Sequence, residues 1–143
     1  MRNYLLSAKI QSVMALGKAD RSVSRILIAD DDPLLRDPLT AKLLASGLRV
    51  TTAESGAEAL RMLRAYAFRI LVLDLDMRNS DGFSVLKAAK RNHPGVHVVA
   101  VTGYMQGALL EAAECLGAAV SLRRSAAPRQ ILKTVRRLLG EPE

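Results

Sequence analysis

Five short apolar runs alternate along this chain with segments whose apolar residues recur at helical spacing. The first run, Ile26-Leu27-Ile28-Ala29, stops abruptly at Asp30-Asp31-Asp32. A continuous apolar run of that length suits a strand buried on both faces. Pro33 then fits the first turn of a helix. Leu34, Leu35, Leu39, Leu43 and Leu44 form its apolar positions, and Gly47 stops it. Residues 48–52 predict a second strand. Ser55 and Glu58 are spaced as a capping box for the next helix, with Ala59, Leu60, Leu63 and Tyr66 or Ala67 facing inward. Residues 68–73 predict a third strand closed by Asp74, and a loop over 75–81 leads to Gly82, which opens a helix through about Arg91. Pro94-Gly95 marks a turn. Residues 96–101 are the most strand-like segment and end in Thr102-Gly103. A helix over 106–116, a weak strand over 118–122 and a helix opened by Pro128 complete the order. Ile131, Leu132, Val135, Leu138 and Leu139 mark the inner face of that last helix.

Alternation of this kind implies an α/β fold with a parallel sheet and helices on both faces. Right-handed crossovers leave the flavodoxin-like (βα)5 arrangement, strand order 2-1-3-4-5, as the default. Ligands bind such sheets beyond the carboxyl ends of the strands, at the switch between strands 1 and 3. Residues 1–23 stand apart as an N-terminal extension: Leu6, Ile10 and Val13 share one helical stripe, and Gly17 would end it. A lone helix of that length is marginal in water and needs a surface, either its own domain or a second subunit. The expected division is a helix and linker over 1–23 and one domain over 24–143, with no output domain.

Composition narrows the classes. Half of the 143 residues are hydrophobic, yet no apolar run approaches the roughly 20 residues of a membrane-spanning helix. The single Cys115 excludes an intramolecular disulfide framework and points to a reducing, cytoplasmic setting. The formal net charge of +7 raises the question of nucleic acid. The densest basic group, Arg123, Arg124, Arg129, Lys133, Arg136 and Arg137, reads as a solvated helix face, and no aromatic stacking platform or helix-turn-helix accompanies it.

The predicted topology makes strands 1 and 3 parallel neighbours, so Asp30, Asp31 and Asp74 converge at one rim. Like charges ~4 Å apart repel by about 1–4 kcal/mol per pair, depending on the effective dielectric. A divalent cation with a taste for oxygen ligands and a half-open shell, Mg2+, would relieve them; the carboxylates alone also fit an acidic patch without metal. Thr102 closes strand 4 with a hydroxyl, and Arg123 and Arg124 follow strand 5 with cations. Acids, hydroxyl and cation on one rim suit a phosphoryl group.

With these residues in place, the chain resembles the receiver domain of bacterial two-component response regulators. The resemblance rests on Ile26-Leu27-Ile28-Ala29-Asp30-Asp31-Asp32, Leu71-Val72-Leu73-Asp74-Leu75-Asp76-Met77, Asp81-Gly82 and Val101-Thr102-Gly103, and covers about residues 25–140. It implies Asp74 as phosphoacceptor, Asp31 as a direct magnesium ligand and Asp30 as its acidic partner. It also implies the Asp76 backbone carbonyl as a further ligand and Thr102 as the hydroxyl that turns toward the phosphoryl group. Implied partners are a sensor histidine kinase or a phosphotransfer protein; separately, the N-terminal stripe or the helix 4–strand 5–helix 5 face offers a surface for a homodimer.

Four positions depart from the family. Arg124 stands at the family's Lys, a planar fork in place of a point charge, and Ser125 at its usual Pro. Ser121 is the nearest equivalent of a switching aromatic, and Arg78 replaces a usual Pro after Met77. The expected function is phosphoryl acceptance on Asp74 with output through altered protein contacts, not catalytic turnover. Alternatives are a degenerate, phosphorylation-independent adaptor and a phosphatase of the haloacid dehalogenase type. Asp74-Leu75-Asp76 matches the latter's Asp-x-Asp, but Arg78 breaks its continuation. A flavin-binding relative fits worse, because three consecutive carboxylates would repel a flavin phosphate.

Overall fold

A run of four buried aliphatic residues with no polar face has to sit inside a sheet, and β1 (Arg25–Ala29) does. It pairs in parallel with β2 (Arg49–Ala53) on one side and β3 (Ile70–Asp74) on the other. Beyond β3 come β4 (His97–Thr102) and β5 (Val120–Arg123), so the sheet order is β2-β1-β3-β4-β5. The computed structural model describes residues 25–78, 80–103, 107–126 and 128–141. The expected N-terminal helix lies outside the described residues. Among them, no helix is long and apolar enough to cross a membrane.

The helices are α1 (Pro33–Ala45), α2 (Gly56–Ala65), α3 (Gly82–Asn92), α4 (Gly107–Cys115) and α5 (Pro128–Leu138). Alternate residues of each strand face opposite sides, and two cores result. Ile26, Ile28, Val72 and Val99 meet Leu39 and Leu43 of α1 and Ile131, Leu132 and Val135 of α5. Leu27, Leu71 and Val98 meet Leu63 of α2, Leu86 and Ala89 of α3 and Ala113 of α4.

Local chemistry sets the helix starts. Asp32 caps α1, its carboxylate accepting from the Leu34 amide at 2.9 Å. Ser55 caps α2 through the Glu58 amide at 3.1 Å. The return half of that capping box is displaced by one residue, since the Glu58 carboxylate accepts from the amide of Glu54 rather than Ser55. Asp81 caps α3 through the Phe83 and Ser84 amides. Two leucines assigned to the inner face of α1 turn outward: Leu34 is 81% exposed and Leu44 46%. Leu39 and Leu43 already fill the face toward the sheet, and the other leucines fall beyond its edge. β5, the weakest strand expectation, is a short edge strand, only partly buried.

Candidate functional site

The register of the sheet builds the rim. Ala29 pairs with Leu73, so the residues just past β1 and at the end of β3 emerge side by side. Carboxylate oxygens of Asp30, Asp31 and Asp74 lie within 4.8 Å of one another. Asp74 is 2% exposed, whereas Asp30 and Asp31 are half-buried. Each carboxylate is oriented by one backbone amide. Asp30 accepts from the Asp32 amide at 2.9 Å and Asp74 from the Asp76 amide at 2.8 Å, both within their own turn. Asp31 accepts from the Arg78 amide at 2.9 Å, across 47 positions of sequence.

Three acids this close are electrostatically strained. Burial, reinforced by the Asp30 charge, pushes the Asp74 carboxyl up to about 6, although the Asp76 amide and Arg124 pull the other way. Burial likewise raises Asp30, partly offset by the Asp32 amide. A cluster of hard, partly desolvated oxygens that resists holding its own charge fits a divalent cation.

β4 and β5 add the rest. The guanidinium of Arg124 donates from Nη2 to Asp74 Oδ2. Burial works against its charge, but Asp74, Asp30 and Asp76 more than compensate and raise its pKa. Its Nε is buried without a hydrogen-bond partner. Thr102 is fully buried, and its hydroxyl donates to the Asp76 carboxylate at 3.2 and 3.3 Å. The Gly103 amide donates to the same carboxylate. A cavity of 290 Å3 opens beside Asp30, Asp74 and Arg124, walled by Leu35, Pro38 and Ile131. On the far side of β5, the Ser121 hydroxyl lies 2.6 Å from Glu114 Oε2 and 3.0 Å from the Leu110 carbonyl, tying the edge strand to α4.

Asp30, Asp31, Asp74, Thr102 and Arg124 therefore share one rim, as their strand-end positions led one to expect. Sequence reasoning missed two contributors. The Asp76 side chain, beyond the backbone carbonyl expected to serve as a metal ligand, holds Thr102 and Gly103. The sheet register carries that signal: Asp74 pairs with Val101, which brings Asp76 beside Thr102. Arg36 lies on α1, where helical spacing carries no signal that its side chain turns toward the rim. Its side chain is 11% exposed, donates to the Asp30 carbonyl at 3.0 Å and reaches Glu54 at 3.6 Å.

Comparison with known proteins agrees with the geometry. The family model for the response regulator receiver domain matches residues 26–136. The transcriptional regulatory protein GlrR of Escherichia coli is 36% identical over 81 residues, which span 57% of this chain and 18% of GlrR. The response regulator protein FleR of Pseudomonas aeruginosa is 31% identical over 121 residues, 82% of this chain and 25% of FleR. The chain thus spans about a quarter or less of the length of these relatives. Among solved structures, the CheY-like receiver domain protein from Methanospirillum hungatei superposes with a TM-score of 0.78 at 26% identity, covering 82% of this chain and 94% of that one. A receiver-family match over most of the chain, on a sheet that brings the family's acidic residues to one rim, makes this protein a member of the response regulator receiver domain family of two-component systems.

Proposed function

We propose that this receiver accepts a phosphoryl group on Asp74, and that Asp30, Asp31, Asp74 and the Asp76 carbonyl hold Mg2+ while it does so. The gathering of three carboxylates from two adjacent strand ends, with Arg124 bonded to the innermost, carries this reading. An Asp74 oxygen attacks the phosphorus of the donor. The phosphorus–nitrogen bond of a phosphohistidine, or the phosphorus–oxygen bond of an acyl phosphate, breaks, and the leaving group takes that electron pair. The product is an aspartyl phosphate. Asp74 must be ionised to attack, and Arg124 favours that state. A bound Mg2+ would neutralise the carboxylates and the phosphoryl oxygens. The unpartnered Arg124 Nε then offers a second donor to the added group. Thr102 supplies a hydroxyl once it leaves Asp76.

A sensor histidine kinase or phosphotransfer protein is the proposed donor, in the cytoplasm. Output by altered protein contact fits a chain in which Ser121, tied to α4 by its hydroxyl, stands in for a switching aromatic. Incubation with a small acyl phosphate and Mg2+, followed by intact-mass measurement, tests the assignment. The wild type should gain the mass of one phosphoryl group and Asp74→Asn none. An unmodified wild type would leave a phosphorylation-independent adaptor as the reading.

A further inference from the structure

The two aspartates that follow β1 are joined by a single peptide unit, and a side chain of α1 holds it. Pairing between β1 and β3 ends at Ala29 and Leu73, so the Asp30 carbonyl lies past the last paired residue. Arg36 donates to that carbonyl from Nη1 at 3.0 Å. We propose that Arg36 is a positioning residue for the metal site, setting the directions in which Asp30 and Asp31 leave the chain. The proposal rests on the Mg2+ reading above.

A peptide unit is planar and carries both flanking Cα atoms in its plane. Holding its carbonyl therefore constrains Asp30 and Asp31 together. The Asp30 amide, on the preceding unit, is already fixed to the Ala53 carbonyl of β2 at 3.1 Å. The unit between the two aspartates takes its anchor from α1 instead. That anchor is firm. The Arg36 amide is bonded to the Asp32 carbonyl at 2.9 Å, one turn into the helix, and only 11% of the Arg36 side chain is exposed. With Nη1 on the carbonyl, the planar fork turns Nη2 toward Glu54 at 3.6 Å and Nε toward Asp37 at 3.5 Å. Both of those acids are largely exposed, and ion pairs of that kind contribute little. The half-buried carbonyl contact is the specific one. Charge and position also predict opposite signs. A cation beside a metal site repels Mg2+, so losing the charge alone would tighten binding. Losing a group that orients the ligands weakens it.

Mg2+ affinity is read by isothermal titration calorimetry on the full chain, with far-ultraviolet circular dichroism and a thermal melt confirming the fold of each variant. Arg36→Met keeps an unbranched stem and removes the donors, and it should raise the Mg2+ Kd about tenfold. Glu54→Gln removes only the ion pair and should stay within about twofold of the wild type. An unchanged or lower Kd for Arg36→Met, even with a lowered melting temperature, would overturn the inference and leave the metal reading intact. An equal loss in Glu54→Gln would overturn it too, by moving the effect to the ion pair. A wild type that binds no Mg2+ would overturn both readings. Should Arg36→Met not fold, nuclear magnetic resonance of the wild-type guanidinium decides. Coupling between two sites is reciprocal, so Mg2+ should slow the exchange of the Arg36 Nη protons, and exchange that Mg2+ leaves unchanged refutes the positioning role.

Discussion

Burial holds Asp74 in the protonated form to unusually high pH, and the sign of the resulting stability effect follows directly. A carboxyl whose folded-state pKa lies above its unfolded value binds its proton more tightly when folded, so stability falls as pH rises through that interval. For Asp74 the interval runs from the ordinary 3.8 up to about 6, and Asp30 shifts in the same direction. Asp81 runs opposite. Its bonds to Ser84 lower its pKa below 3.8, and the stability it contributes is lost as pH falls through the lowered value. Without divalent cation, denaturant unfolding should therefore show the protein gaining stability from pH 7 down to about pH 4.5 and losing it in stronger acid. Asp74→Asn should remove most of the gain between pH 7 and 4.5. A flat profile for the wild type over that range would contradict the strained-carboxylate picture.

At the scale of elements, the sequence announced strand ends better than helix faces. Short apolar runs stopped by Asp or Thr marked β1, β3 and β4, because a strand buried on both faces tolerates no polar residue until it emerges. Those same stops placed Asp30, Asp74 and Thr102. Leu34 and Leu44 were misplaced because helical spacing alone cannot say where the apolar face of a helix stops. Asp76 and Arg36 act through contacts between different elements, which no local pattern encodes. Gly82 was read only as the opening of α3; the structure gives it a stricter role. A Cβ there would collide with the backbone of Leu75, where the loop returns past the end of β3. Gly82→Ala should cost about 1–3 kcal/mol, by analogy with overpacked cores. Thermal unfolding measures this, and an unchanged melting temperature would show that the loop yields freely.

At the scale of the whole molecule, the described residues form a single sheet with an independent apolar layer on each side. Ile28 belongs to the layer under α1 and α5, Leu86 to the layer under α3, and both are essentially inaccessible. Ile28→Val should cost about 1 kcal/mol and Leu86→Ala about 3 kcal/mol. Because the sheet separates them, the double variant should lose the sum within about 0.5 kcal/mol. Equilibrium denaturation of the two single variants and the double variant checks this, and a larger coupling would mean that the two layers deform together. The charged rim belongs to neither layer. Its acids leave the ends of β1 and β3, while Thr102 and Arg124 come from β4 and just beyond β5.

The connection between Asp74 and Gly82 reaches back to the first strand through Arg78, across to the fourth through Asp76, and sideways to α2 through Ser80. Connections on protein surfaces ordinarily tolerate gained or lost residues over evolutionary time. Here one extra residue before Ser80 would throw at least one of the three moorings out of step, so an insertion there should cost more stability than one in an untethered connection.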